Sequence, residues 1–201
     1  MIKAILSDLG NVIVFTNHRK ITEGLARYTD KDESQVYDFF VNSNARKGFE
    51  KGRVSPQQLF ADFKDNLDLR LNFNKFNEIW CSCFLGLNKE MEKLLYRLKK
   101  NYRLVLLSNT DEMHFNYLRK KYSVLDIFDG YVLSCQEGCK KPNPMIYFQA
   151  IKKAKAMPGQ IVYMDDVYAY VIAAKIFGIK GIQYKTFDKL KIDLRQNYVK
   201  A

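Results

Sequence analysis

The chain has 201 residues, 47% of them apolar, and carries 33 Lys and Arg against 22 Asp and Glu, a formal net charge of +11. That apolar share is sufficient for the packed interior of one larger domain, or of a core with a modest insertion. No apolar run approaches the roughly 18 residues that span a bilayer, and the opening MIKAILSD lacks a signal peptide's apolar core and cleavage site, so a cytoplasmic protein without membrane contact is expected.

The first predicted element is a strand at KAILSD, residues 3–8, which ends on the single carboxylate of Asp8 before Leu9, Gly10 and Asn11. Residues 16–86 then read as helical, through RKITEGLARY, ESQVYDFFVN, SPQQLFADF and FNKFNEIWCSCF, with no convincing buried strand. Ser55 is placed as an N-cap with Pro56 at the first helical position, and EKGRVS, residues 50–55, as the clearest internal turn. Beyond this segment strands and helices alternate: helix KEMEKLLYRLKK, strand RLVLLSN (103–109), helices DEMHFNYLRKKY and PMIYFQAIKKAKA, strand QIVYMDD (160–166), helix YAYVIAAKIFG closing at Gly178, and strand KGIQY (180–184). The strands are continuously apolar, as strands covered on both faces are. The fold class expected is α/β, a doubly wound parallel sheet built from 1–15 and 87–201, with an inserted α-helical segment at 16–86.

The basic residues are spread over RLKKNYR, RKKY, KKAKA and KTFDKLK, with no recognition motif beside them, so they read as a solvated surface and a nucleic-acid partner is not expected. Cys81, Cys83, Cys135 and Cys139 have C-x-C and C-x3-C spacing, wrong for a paired zinc motif, and read as reduced thiols. Oligomeric state leaves no mark in the sequence.

In an open parallel sheet, ligands bind beyond the carboxyl ends of the strands. Three predicted strands end there in polar groups: Asp8, then Ser108 and Asn109, then Asp165 and Asp166. Carboxylates gathered in one crevice repel unless a cation lies between them, and an all-oxygen set suits Mg2+, which would in turn attract phosphate oxygens. Lys141, just before Pro142 and a helix, would direct a fixed positive charge into the same crevice.

SDLGNVIV, VLLSNT, KKPNPMIY and IVYMDD resemble, in order and spacing, the four motifs of the haloacid dehalogenase (HAD) superfamily, most closely a branch containing sugar-phosphate phosphatases. The resemblance covers nearly the whole chain and implies a Rossmann-like core with 16–86 as its helical cap. It implies a phosphatase acting on a small phosphorylated metabolite, with Asp8 as nucleophile forming an aspartyl-phosphate that water hydrolyses. Ser108 and the backbone amides of Leu9, Gly10 and Asn109 would bind phosphoryl oxygens, and Lys141 would offset their charge. Mg2+ would be held by Asp8, the Gly10 carbonyl, Asp165 and Asp166.

Many members of the superfamily carry an aspartate two residues after the nucleophile, where it protonates the leaving group; here that residue is Gly10. The expectation is a phosphatase of substrates with easier leaving groups, helped by solvent or by a cap residue such as His18. Gly10 itself is expected to allow unusual dihedrals and close backbone approach. Two other readings stay open: a metal-independent dehalogenase, and a catalytically weak binding or regulatory protein. The second draws on Tyr170 and Ile172, where relatives carry polar residues supporting Lys141 and Asp165. Specificity is sought in the cap near Asn44, Arg46 and Glu50.

Overall fold

Strand β1, Ala4–Ser7, is buried along its whole length. In the computed structural model, which describes residues 1–197, 199 and 200, it is the centre of a five-stranded sheet in the order β5-β4-β1-β6-β7, with every pairing parallel. The other strands are β4 (Arg103–Ser108), β5 (Gly130–Leu133), β6 (Ile161–Asp165) and β7 (Lys180–Gln183). The chain leaves β1 for β4 and β5 on one side and returns to β6 and β7 on the other, so the switch in winding direction lies at β1. This is the doubly wound sheet expected.

Successive side chains of a strand point to opposite faces, and both faces here are apolar. Ile5, Leu104, Leu106, Val162 and Met164 pack beneath α6 (Lys89–Lys99), α7 (Glu112–Lys121) and α11 (Phe187–Gln196), while Ala4, Leu6, Val105, Leu107, Ile161 and Tyr163 pack beneath α9 (Pro144–Ala154) and α10 (Tyr168–Ile176). Continuous apolar strands are the consequence. Basic residues close the last turns of α6, α7, α9, α10 and α11, where a cation complements the negative end of the helix dipole. None of the described helices is long and apolar enough to cross a membrane.

Between β1 and α6 the chain forms α1 (Arg19–Ala26), α2 (Glu33–Asn42), α3 (Asn44–Phe49), α4 (Pro56–Leu67) and α5 (Phe73–Trp80). They enclose a second apolar cluster of Ile21, Leu25, Phe40, Phe63, Phe76 and Trp80, to which α7 contributes Met113. Phe76 stacks on Trp80 at 5.5 Å and Phe63 meets it edge-on at the same distance. Ser55 caps α4 by accepting from the Gln58 amide, and Pro56 occupies the first turn, as the sequence predicts.

Several features depart from the sequence reading. The predicted helix FNKFNEIWCSCF stops at Trp80; Cys81–Cys83 make one tight turn and Phe84–Leu87 becomes strand β3, antiparallel to β2 (Val14–Thr16). Pairing satisfies the backbone groups of both short strands, a gain invisible locally. Helix α3, strand β5 and the short α8 (Ser134–Glu137) are not expected from the sequence either. The four cysteines are free.

The turn at 50–55 seats the helical segment on the core. Gly52 is left-handed at φ +66°, and a Cβ there would overlap the carbonyl oxygen of Cys135. Gly52→Ala is expected to destabilise by at least about 1–2 kcal/mol, the cost of left-handed backbone for a residue with a Cβ. A urea midpoint equal to that of the unsubstituted protein would show that the turn does not rest on α8.

Candidate active site

Asp8 is the first residue past β1, and its amide still donates to Met164 of β6 at 2.9 Å, so its position is set by the sheet. The chain then doubles back: the amides of Ile13 and Val14 both donate to the Leu9 carbonyl, at 2.9 and 3.0 Å. The left-handed residue of this loop is Asn11, at φ 54°, whereas Gly10 has no positive φ, and a Cβ there would meet only Thr16 at an ordinary 3.8 Å. The dihedral freedom expected of Gly10 is therefore not used. An asparagine side chain, which tolerates this conformation, performs the turn. Its amide also ties the loop, donating to Asp166 at 3.2 Å and accepting from the Thr16 amide and hydroxyl at 3.1 and 3.0 Å.

The Lys141 ammonium lies at the centre of the site. Only 1% exposed, it donates to Asp8 at 2.8 Å, to Asp165 at 2.6 Å and to the Leu107 carbonyl at 3.2 Å. Its backbone is clamped by the Asn109 side chain, which accepts from the Lys141 amide at 2.8 Å and donates to its carbonyl at 3.1 Å. The Tyr163 hydroxyl donates to Asp165, as does the Val167 amide at 2.8 Å, and the Tyr170 ring lies 5.1 Å from the ammonium. Tyr170 therefore supports Lys141 through its ring and its hydroxyl contact to Asn109, so the polar groups missing at 170 and 172 do not leave Lys141 or Asp165 without partners.

Burial pushes the Asp8 carboxyl up; Lys141 opposes this and Asp165 adds to it, leaving it at about 6. Burial likewise raises Asp166, against the bond from Asn11. Lys141 is held above its ordinary value because the two carboxylates outweigh its own desolvation. Ligand oxygens of Asp8, Asp165 and Asp166 all lie within 4.8 Å of one another. Three carboxylates facing one ammonium leave negative charge that a hard divalent cation would neutralise, and the oxygen donor set fits Mg2+.

Asp8, Leu9, Gly10, Ser108, Asn109, Lys141 and Asp166 line one recess of about 180 Å3, and Asp165 lies buried beneath it. All of the residues singled out at the strand ends are thus brought together. The recess adjoins a chamber of about 490 Å3 lined by Tyr37, Phe40, Arg46, Glu50, Trp80 and Lys140, among others. Glu50 accepts from Arg46 at 2.5 Å and from Lys140 at 2.7 Å, bridging α3 and the loop before Lys141. Of the three specificity candidates, Arg46 and Glu50 face the chamber; Asn44 is exposed and lines neither space. Clefts of about 450, 680 and 570 Å3 elsewhere contain none of these groups.

Sequence reasoning missed a buried pair at the wall shared by both spaces. Asp111 caps α7 by accepting from the His114 amide at 2.8 Å, and its other oxygen meets His114 Nδ1 at 2.9 Å. His114 Nε2 faces the Trp80 carbonyl at 2.8 Å, so both ring nitrogens face acceptors and both carry protons. Burial opposes that charge, but Asp111 holds the ring well above the ordinary histidine value and is itself lowered by it. The available signal was an Asp N-cap with His three residues later.

A nucleophile-like Asp8, a lysine joining it to Asp165 and a switch point at β1 describe a known architecture, and the family model of haloacid dehalogenase-like hydrolases matches residues 2–178. The chain belongs to that family. This haloacid dehalogenase-like hydrolase is 25% identical to a sesquiterpene phosphatase of Aspergillus oryzae, covering 96% of the chain and 95% of the relative. It is 24% identical to a D-ribitol-5-phosphate phosphatase of Bacteroides thetaiotaomicron, over 91% of the chain and 92% of that protein. Its fold is shared with a HAD-family enzyme of Bacteroides thetaiotaomicron solved with magnesium and inorganic phosphate, at TM-score 0.85 and 22% identity, over 94% and 99% of the two chains.

Within this hydrolase, the stability supplied by the Asp111–His114 pair is fully present only while both partners are charged. A raised histidine contributes fully below its ordinary 6.5 and is lost as pH climbs through its elevated value; a lowered carboxylate contributes above its ordinary 3.8 and is lost as pH falls through its depressed value. His114→Gln is expected to cost about 3–5 kcal/mol, as breaking a buried pair does. The difference in urea unfolding free energy should be largest between pH 4 and 6.5 and shrink at alkaline pH. A difference that stayed constant from pH 4 to alkaline pH would mean that His114 is uncharged.

Proposed function

We propose that the chain is a Mg2+-dependent phosphatase of small hydrophilic phosphate esters, sugar or polyol phosphates among them, acting through an aspartyl-phosphate on Asp8. The observation that carries this reading is the Asp8–Lys141–Asp165 arrangement, with Asp166 and Ser108 at the rim of the same recess. The phosphatase activity named for the two full-length relatives supports it.

In this reading Asp8 attacks phosphorus, and Lys141 keeps its carboxylate ionised and oriented while offsetting the charge of the incoming phosphoryl group. Ser108 and the amides of Leu9, Gly10 and Asn109 hold the phosphoryl oxygens. Asp8, the Gly10 carbonyl, Asp165 and Asp166 would hold Mg2+, which when bound supplies positive charge for the phosphoryl oxygens. Asp166 owes its orientation to Asn11.

Residues 16–86 act as the cap that covers the leaving group and excludes water. The chamber's Arg46, Glu50 and Lys140 favour a hydroxylated leaving group over a hydrocarbon one, since an apolar chain would desolvate charges without giving them partners. The clustered acids likewise favour phosphate and metal over carbon–halogen cleavage.

The test is hydrolysis of 4-nitrophenyl phosphate and a panel of sugar and polyol phosphates, with Mg2+ or EDTA, by the protein and by Asp8→Asn. Turnover is expected to need Mg2+ and to fall by roughly 1,000-fold or more on loss of the nucleophile. Equal inactivity of the two proteins across the panel would favour the binding or regulatory reading.

A further inference from the structure

Gly10 leaves the reaction without an acid beside the nucleophile, yet an alkoxide leaving group needs a proton. Where that proton must arrive follows from the two connected spaces. The phosphoryl group occupies the recess over Asp8 and the rest of the substrate occupies the chamber, so the oxygen that leaves phosphorus lies where the two meet. Five residues line both: His18, Asn109, Thr110, His114 and Tyr170.

Four of the five are committed or unsuited. The Asn109 amide carries no acidic proton and is occupied with Lys141. The Thr110 hydroxyl donates to the Asp111 carbonyl at 3.4 Å and its backbone is held by Ser134. His114 spends both ring protons on Asp111 and Trp80. The Tyr170 hydroxyl accepts from the Asn109 amide at 3.4 Å and its ring lies 5.1 Å from the Lys141 ammonium, which ties this side chain to the floor of the recess.

His18 is held more lightly, its ring meeting the Cys83 thiol and His114. It stands in the N-cap position of α1, makes no side-chain capping bond and is exposed, at the point where the chain leaves β2 for the helical segment. The titratable groups facing its ring are His114, with ring centroids 6.3 Å apart, and the Cys83 thiol. Burial acts to raise that thiol, but hydrogen bonds from His114 and His18 and their charge bring it down to about 7. The imidazole is thus kept against a polar wall, with the protonated His114 behind it.

We propose that His18 is the general acid and base of the reaction, taking the role that the residue at position 10 does not fill. This rests on the phosphatase reading. In the first step the Asp8 oxygen–phosphorus bond forms, the bond from phosphorus to the leaving oxygen breaks, and the imidazolium gives its proton to that oxygen. In the second, neutral His18 takes a proton from water as the water oxygen bonds to phosphorus. The phosphorus–Asp8 bond breaks, releasing inorganic phosphate and restoring both carboxylate and imidazolium.

The experiment compares the protein with His18→Gln on aryl phosphates of graded leaving-group acidity, from 4-nitrophenyl to phenyl to 4-methoxyphenyl phosphate, with Mg2+ present. Because kcat/KM reports only steps through the first irreversible one, it isolates departure of the leaving group. It should stay within about threefold for 4-nitrophenyl phosphate and fall about 100-fold for the poorer leaving groups, the range of general acid catalysis. The second step should slow as well, so His18→Gln should show a burst of 4-nitrophenol followed by a lower kcat. A loss by the same factor across the series, without a burst, would overturn the assignment and leave the phosphatase standing. Absence of turnover by the unsubstituted protein on 4-nitrophenyl phosphate would instead remove both.

Discussion

One ammonium group organises the site. Lys141 is inserted between carboxylates that terminate adjacent strands, β1 and β6, and it also reaches the carbonyl of Leu107 on β4. Three neighbouring strand ends are therefore drawn to a single nitrogen, and a charge buried this deeply is tolerable only because every one of its protons has an acceptor. The surrounding details serve that constraint. Asn109 fixes the lysine backbone from the end of β4, and Tyr163 and the Val167 amide fix the far carboxylate, so Asp8 is presented with one oxygen tethered at the floor of the recess.

The parts legible in the sequence are those where a polar residue breaks an apolar strand. Asp8, Ser108 and Asp165 stand out because both faces of this sheet are buried, so a charge or hydroxyl at a strand end is an exception that needs a reason. Lys141 is less conspicuous, since a lysine among lysines ordinarily marks solvent, and it was legible only through its place ahead of a proline and a helix. The departures have a common origin: they depend on closure of distant chain. Cys83 and His114 meet only because α5 is laid against α7, and β2 acquires its partner only after five helices have intervened. Asn11 does not stand out beside the adjacent glycine, because its value lies in reaching Thr16 and Asp166 together.

Polarity is graded through the two joined spaces. The recess holds acids and one buried cation; the chamber mixes aromatic rings with the Arg46–Glu50–Lys140 network; between them stands a histidine pair backed by Asp111. The many lysines elsewhere follow a different logic. Those in the last turns of α6, α7 and α9 sit at helix C-termini, which in a parallel α/β layer lie toward the edge away from the strand carboxyl ends.

The β2–β3 ribbon brings the outgoing and returning chain of the helical segment side by side, locked by backbone bonds such as Asn17 to Cys83 at 2.8 Å and Asn88 to Ile13 at 2.8 Å. From the viewpoint of the sheet, everything between Thr16 and Phe84 is therefore a loop whose ends are already closed, however long it becomes. A loop of that kind can be lengthened, trimmed or exchanged at small entropic cost, because closure grows only logarithmically with its length. The geometry makes the length of that segment a separable variable: it can change while the charged floor around Lys141 keeps its place in the sheet.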